Sequence, residues 1–148
     1  MRWLGGVQNA AAVRREVEYF RATEARHGYT FWAAERQSDK LLLGFCGLLR
    51  IVERDCPFRG AVEIGWRIRD DEWREGYAFE AASAVLELAF DRLALDLIVS
   101  RAAARNHASR ALMTKLGMQR RRRMDYRPRG ENSKLVTYVL KRGEWRGS

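Results

Sequence analysis

Residues 62–93 constrain the fold of this chain more than any other stretch. Residues 62–68, Val-Glu-Ile-Gly-Trp-Arg-Ile, alternate in polarity as a half-buried strand does. Over residues 76–93, small and apolar side chains recur at the three- and four-residue spacing of an amphipathic helix, namely Ala78, Ala81, Ala82, Val85, Ala89 and Leu93. The stretch therefore predicts a strand, a short loop, a turn at Gly76 and a helix.

The turn at Gly76 has the features of an anion-binding site. The first turn of a helix presents backbone N–H groups that lack intrahelical acceptors, and the helix dipole places partial positive charge there. A glycine at this point lets a phosphate approach the backbone closely. Because many strand–helix turns share these features, the pattern alone is only a weak indication of an anion site.

Composition narrows the class of protein. With 148 residues and 47% hydrophobic content, we expect one domain spanning residues 1–148. The net charge of +9 favours anionic partners, but the basic residues are spread along the chain, and their one run, 120–123, is predicted to be solvated surface. No apolar run is long enough to span a bilayer, so we expect no membrane association.

The two cysteines bear on metal binding and location. Cys46 and Cys56 show neither CxxC spacing nor a nearby histidine. We therefore predict no disulfide scaffold and no metal site. A reducing, cytoplasmic location fits this pattern best.

The remaining segments predict an α/β (α+β) fold. Helices are expected from a cap at Asn9 to residue 26, over 76–93 and over 108–116, and strands over 30–35, 41–52, 62–68, 96–100, 118–126 and 134–141. This order predicts a mixed, largely antiparallel sheet flanked by helices. The crossover from residue 63 to residue 100 is expected to form one parallel strand pair.

Four ordered segments resemble the signature of a known family: residues 63–68 (Glu-Ile-Gly-Trp-Arg-Ile), 73–81 (Trp-Arg-Glu-Gly-Tyr-Ala-Phe-Glu-Ala), 106–109 (Asn-His-Ala-Ser) and 115–118 (Lys-Leu-Gly-Met). They resemble the GNAT acyltransferase superfamily, and within it the ribosomal-protein N-terminal acetyltransferase branch. The resemblance runs from residue 1 to about residue 142. It implies a GNAT-like sheet with a splayed strand pair that holds acetyl-CoA, and acetyl transfer to an amine.

The resemblance also implies the acetyl-CoA contacts. The pyrophosphate is expected at the loop and first helical turn, formed by Trp73, Arg74, Glu75, Gly76, Tyr77 and Ala78. The pantetheine arm is expected along the backbone of Trp66, Arg67 and Ile68, where one N–H polarises the thioester carbonyl. Asn106, with Ser109 close by, is expected to bind the same arm. Asn106 is equally interpretable as a helix N-cap, and the two roles are compatible.

Glu63 is the predicted general base, because an amine must lose a proton to attack a thioester. The alternative is a solvent-facing glutamate on an alternating strand. Many superfamily members place a tyrosine, which reprotonates the departing thiolate, at the position that Met113 occupies here. Ser109 is therefore the predicted acid. A helical serine is also often only a capping or back-bonding hydroxyl, and a CoA thiolate needs little help to leave.

The chain departs from the family pattern in two places. Arg74 replaces a usual glycine and Glu75 a usually basic or neutral residue, and both changes could impair pyrophosphate binding. The family also has a strand and a helix ahead of the segment that matches residues 1–6. Without that first strand, strand 30–35 would be an exposed edge. Either another copy covers it, as in the homodimer that we expect, or the chain is a truncated form.

Two other classes of function stay open. A catalytically degenerate domain that binds CoA and acts as a sensor or assembly partner is consistent with the two departures. A nucleic-acid-binding module would use the positive charge, but the basic residues do not cluster on one predicted helix beside stacking aromatics, so we do not expect it. The acceptor amine remains open between a protein N-terminus and a small molecule.

Overall fold

The computed structural model describes residues 9–147, and within them six strands form one sheet. The elements are α1 (Ala10–His27), β1 (Phe31–Glu35), β2 (Leu42–Arg50), β3 (Val62–Ile68), α2 (Tyr77–Glu87), β4 (Leu97–Ala103), α3 (His107–Lys115), β5 (Gln119–Arg120) and β6 (Leu135–Lys141). The strand order is β1-β2-β3-β4-β6-β5. Neighbouring strands are antiparallel except for the parallel pair β3–β4. The predicted mixed α/β class and its parallel crossover are confirmed.

Local signals explain where α1 begins and ends. The Asn9 side chain accepts the Ala12 N–H at 2.9 Å, and Gly28 ends the helix in the left-handed conformation with φ of 77°. The apolar side chains of Val13 and Val17 contribute little to the core, because they are 44% and 41% exposed. Instead, Phe20 anchors α1 on the sheet through contacts with the rings of Phe31 and Phe45.

The main core lies between the sheet and the helices α2 and α3. Its most deeply buried side chains come from every layer: Leu48, Ile64, Leu86, Ile98, Met113 and Leu140. The helical path continues past α2 in a π-helical turn, Leu88–Arg92, so the predicted helix over 76–93 is confirmed as one helical stretch with a change of pitch. This packing fixes the start of α2 relative to β3 and β4.

The predicted strand over 118–126 is wrong. The strand covers only Gln119–Arg120, a 3₁₀ turn follows at Arg122–Met124, and Tyr126 then forms an isolated bridge with Leu135. The Asp125 carboxylate accepts the Thr137 N–H at 3.0 Å, and the Thr137 hydroxyl donates to the Met124 carbonyl at 3.1 Å. These side-chain bonds replace the regular ladder with β6.

Strand β1 lies at one edge of the sheet formed by residues 9–147. The sequence predicted an exposed edge at this strand. Residues 1–6, which were compared with the family pattern, lie outside the described residues. Within the described part of the chain, no helix has both the length and the apolar character to cross a membrane.

Candidate functional site

The sheet opens between β3 and β4. Strand β3 pairs with β2 along its whole length, from Val62 to Ile68, whereas its register with β4 is limited to Glu63 opposite Val99. Beyond that pair, the Ser100 hydroxyl spans the two strands by donating to the Ile64 carbonyl at 3.0 Å. The parallel strands therefore diverge toward their carboxyl ends, which is where ligands bind in open α/β sheets.

The loop that enters α2 leaves backbone donors accessible. Arg74 and Gly76 both adopt left-handed conformations, with φ of 69° and 85°. A Cβ atom at Gly76 would meet no atom within 4 Å, so the space beside this backbone is open. The first N–H bonded within the helix is that of Glu80, which donates to the Gly76 carbonyl at 3.0 Å, and no described side chain caps the turn. These orphan N–H groups fit an anion such as a pyrophosphate.

Polar contacts tether this loop to the sheet. The Trp73 indole N–H donates to the Ile68 carbonyl at 2.7 Å, although half of the Trp73 side chain stays exposed. Just before it, Glu72 accepts a bond from Arg36 at 2.7 Å. Arg74 and Glu75 are both exposed, so their charges face any ligand at the turn through solvent. The glutamate opposes an anion there and the arginine favours it.

Trp66, Arg67 and Ile68 were predicted to line the opening, and their side chains point to different sides of the sheet. Trp66 packs against the core that holds α2 and α3, and Ile68 is buried. Arg67 lies on the opposite face, with its guanidinium 5.6 Å from the centre of the Phe45 ring, where burial lowers its pKa. The three residues therefore share only their backbone at the opening. A peptide-like ligand arm would bind to such a backbone.

At the start of α3, the N-cap interpretation of Asn106 is confirmed. Its side-chain oxygen accepts the Ser109 N–H at 3.1 Å. The Asn106 amide still has two N–H donors for another partner, so the cap does not exclude a ligand contact. Ser109 is half-buried in the first turn of α3, whereas Met113 is 1% exposed in the core.

A buried ion pair lies where β3 and β4 part. The Arg101 guanidinium donates to both Glu63 oxygens, one of them at 2.9 Å. It also donates to Glu53 at 3.1 Å and to the Tyr126 hydroxyl. The Arg101 and Glu63 side chains are 9% and 17% exposed. Because strand side chains alternate and Ile64 faces α2, this cluster lies on the other face of the sheet.

Burial and charge oppose each other at this cluster. Burial raises the pKa of the Glu63 carboxyl above its ordinary value, and the bonds from Arg101 act in the opposite direction without cancelling the shift. Burial also raises the pKa of Tyr126 to about 12, so its phenol stays protonated. A carboxylate has about four acceptor positions, of which Arg101 occupies two. Glu63 can therefore still accept a hydrogen bond from a further partner.

Comparison with known proteins identifies the family. Residues 1–119 match the sequence model described as the acetyltransferase (GNAT) domain. This chain belongs to the GNAT acetyltransferase family. Family membership supports acetyl transfer from acetyl-CoA as the general chemistry of the chain. The ribosomal-protein branch that the sequence suggested is present among the structural neighbours but is not singled out by them.

Several curated relatives align over part of their length. The uncharacterized protein YkkB of Bacillus subtilis is 29% identical over 80% of this chain and 67% of its own. The uncharacterized N-acetyltransferase YoaA of the same species is 33% identical over 60% of this chain and 48% of its own. The FsC-acetyl coenzyme A-N(2)-transacetylase of Aspergillus fumigatus is 32% identical over 56% of this chain and 37% of its own. The alignment thus spans about half or less of the last two relatives.

Solved GNAT structures share the fold. An acetyltransferase from Bacillus anthracis superposes with a TM-score of 0.78 at 23% identity, covering 97% of this chain and 82% of the other. Spermidine N-acetyltransferase from Vibrio cholerae, in complex with CoA and spermine, gives a TM-score of 0.70 at 14% identity over 95% and 80%. At these identities the likeness establishes the fold and leaves the substrate open.

Sequence reasoning missed Arg101, Glu53 and Tyr126, which form one hydrogen-bonded cluster with Glu63. One signal was present, since Arg101 interrupts the otherwise small and apolar strand β4 and so had to find a partner on the sheet. Its partner Glu63 is 38 positions away in sequence. No group of three or more histidine, cysteine or acidic side chains in residues 9–147 is arranged to hold a metal ion.

Proposed function

We propose that this chain transfers the acetyl group of acetyl-CoA to a primary amine, either a protein N-terminus or a small molecule, by direct attack in a ternary complex. The observation that carries the proposal is the opening between β3 and β4, which begins beside the buried carboxylate of Glu63. One end of the opening thus offers a proton acceptor, and the other reaches the open turn of α2. We regard residues 1–148 as one domain for this activity.

Acetyl-CoA supplies an acetyl group activated as a thioester. The N–H groups at Gly76, Tyr77 and Ala78 are the proposed pyrophosphate site, flanked by Trp73, Arg74 and Glu75. The backbone of Trp66, Arg67 and Ile68 is the proposed contact for the pantetheine arm, and one of its N–H groups would polarise the thioester carbonyl. The free amide N–H groups of Asn106 and the side chain of Ser109 would hold the arm from α3.

Glu63 takes the proton that the acceptor amine must lose. A carboxyl whose pKa is raised by burial is a stronger base than an exposed one, and its two remaining acceptor positions can receive an N–H directly or through water. Arg101 is a positioning residue, because it fixes the orientation of the Glu63 carboxylate. The Ser109 hydroxyl is the proposed proton donor to the departing thiolate.

The first test is binding of the cosubstrate. Acetyl-CoA should raise the melting temperature in a concentration-dependent way, since a ligand at 100 times its Kd stabilises the native state by about 2.7 kcal/mol. Differential scanning calorimetry with acetyl-CoA, CoA and adenosine monophosphate would measure it, with the last as the control that lacks pyrophosphate and pantetheine. Unchanged melting with both acetyl-CoA and CoA would contradict the proposal.

Measuring acetyl-CoA binding to charge variants tests whether the α2 turn holds the pyrophosphate. Glu75→Lys removes a carboxylate whose repulsion of a pyrophosphate at about 6 Å and a dielectric of about 20 is of order 2 to 3 kcal/mol before screening by salt. We expect acetyl-CoA to bind about tenfold more tightly at low salt and less so at high salt. The matched control is Glu87→Lys, an equally large charge change at the other end of α2. Equal effects of both variants would place the pyrophosphate elsewhere.

We further propose a homodimer in which a second copy covers the edge strand β1. An exposed strand edge presents unpaired backbone groups that favour pairing with another chain. Light scattering at micromolar concentration is expected to give twice the chain mass, and a monodisperse monomer would contradict this assembly.

A further inference from the structure

Two segments, residues 51–61 and 121–134, pack together on the sheet face that carries Glu63. They share a buried cluster with β4 and β6, formed by Ile51, Cys56, Phe58, Ala61, Val99, Met124, Tyr126 and Val139. The rings of Phe58 and Tyr126 meet at 90° with their centres 5.8 Å apart. The Arg129 backbone N–H also donates to the Asp55 carboxylate at 2.6 Å. The two segments therefore form one continuous surface.

This surface is rich in unpaired cations. It carries the exposed arginines Arg54, Arg59, Arg122, Arg123, Arg127 and Arg129, which we call the basic surface. Within the described residues, none of the six has a carboxylate at ion-pair distance. Three of the four acidic side chains on the same segments are occupied: Glu53 by Arg101, Asp55 by the Arg129 N–H, and Asp125 by Arg120 and Lys134, while Glu131 is exposed. Cationic side chains therefore outnumber carboxylates on this surface, which favours an anionic partner.

The basic surface contains a shallow, open cleft. Arg54 and Asp55 from one segment and Arg129 from the other line a space of about 500 Å³. Arg54 and Arg129 therefore border a common space with Asp55, whose carboxylate accepts the Arg129 backbone N–H.

A chain of hydrogen bonds links the two segments to the proposed base. Glu53, next to Arg54 in the chain, and Tyr126, on the other segment, both bond to Arg101, which holds Glu63. An acceptor whose amine reaches Glu63 would thus extend over the basic surface. We propose that this acceptor is an acidic polypeptide, whose N-terminal amine is acetylated and whose following carboxylates bind Arg54 and Arg129. This inference rests on the proposed acetyl transfer.

The chemistry of the surface favours an acidic polypeptide over other amines. A polyamine would be repelled by six unpaired cations. Single-stranded nucleic acid binds by stacking its bases on exposed aromatic rings, but Phe58 and Tyr126 are half-buried and pack on each other. Carboxylates spaced along an extended peptide can instead meet guanidinium groups in turn, with charge-assisted hydrogen bonds.

The test compares two peptides that differ only in charge, Ser-Gly-Asp-Glu-Asp-Glu-Gly and Ser-Gly-Asn-Gln-Asn-Gln-Gly, as acceptors in a CoA-release assay. We expect kcat/KM to be at least about tenfold higher for the acidic peptide at low salt and the difference to shrink as salt rises. Arg54→Gln/Arg129→Gln should abolish the preference. The matched control, Arg92→Gln/Arg146→Gln, removes two exposed arginines elsewhere and should retain it. Thermal melting would verify that both variants fold.

The outcomes separate this inference from the proposed function. Equal kcat/KM for the two peptides, or a preference that survives Arg54→Gln/Arg129→Gln, would overturn the acidic acceptor and leave acetyl transfer standing. Stronger competition by an equally charged oligonucleotide than by the N-acetylated acidic peptide would overturn the polypeptide class. Absence of CoA release with every amine, together with acidic-peptide binding that depends on Arg54 and Arg129 in fluorescence anisotropy, would contradict the proposed function and leave the basic surface as a binding site for acidic peptides.

Discussion

Glu63→Gln is expected to lower turnover by about two orders of magnitude or more, while acetyl-CoA binding stays nearly unchanged. An amide cannot accept the proton of the acceptor amine, and general-base catalysis typically contributes about 100-fold to 10,000-fold. The substitution keeps the size of the side chain, and the proposed acetyl-CoA contacts lie on other residues. The measurements are kcat from CoA release with a responsive amine acceptor, and the melting shift with acetyl-CoA.

The control for this variant is Glu53→Gln. Glu53 also bonds to Arg101, so its substitution removes the same charge from the same cluster without touching the proposed base. We expect its kcat to fall only slightly. Turnover of Glu63→Gln close to that of the wild type would assign Glu63 a structural role only. Acetyl-CoA binding without turnover in the wild type would favour the alternative of a CoA-binding sensor.

Arg101→Met is expected to reduce the free energy of unfolding by about 3 to 5 kcal/mol at neutral pH. Removing one partner of a buried ion pair leaves the other charge without compensation, and losses of this size are typical. Here the remaining charge is that of Glu63, whose side chain is 17% exposed. Urea denaturation followed by circular dichroism would measure the loss.

The loss should depend on pH in a defined direction. Burial holds the folded-state pKa of Glu63 above its ordinary value of 4.5, and without Arg101 that pKa rises further. Between 4.5 and the folded-state pKa, the folded protein binds more protons than the unfolded chain, so stability falls as pH rises through this window. Arg101→Met should therefore be less destabilising at about pH 5 than at pH 7.

Two further variants isolate the buried pair. Arg101→Met/Glu63→Gln should recover part of the stability, because a neutral amide replaces the uncompensated charge. Arg69→Met removes an ion pair with Asp71 that is largely exposed, and should change stability little. A pH-independent loss in Arg101→Met would show that packing of the arginine stem, rather than charge, supports the site.

Local rules were sufficient for much of the scaffold. Alternation placed β3 at its observed ends, and apolar spacing placed the helical stretch that begins after Gly76, because both patterns follow from the backbone geometry of one element. The caps at Asn9 and Asn106 and the stop at Gly28 were likewise predictable, since each involves residues a few positions apart. The parallel crossover followed from the order of the elements.

Side-chain partners from distant parts of the chain were not predictable in this way. The sequence suggested Glu63 as a base, but only the sheet register brings Arg101 to it, and only the packing of two loops brings Glu53 and Tyr126 to Arg101. The strand expected over 118–126 is interrupted for the same reason, because the Asp125 carboxylate takes a backbone N–H from Thr137 on β6.

The sequence thus determined most of the helices and strands and the parallel crossover, which depend on spacing and order along the chain, and it carried the GNAT signature. Tertiary structure decided the electrostatics of the site. Whether a charged side chain is solvated, paired or free to bind a ligand depends on which distant groups the fold places within hydrogen-bond distance and on how much water the packing excludes. For Glu63 the deciding partner is Arg101. For the basic surface, the deciding fact is that none of its six exposed arginines forms an ion pair within residues 9–147.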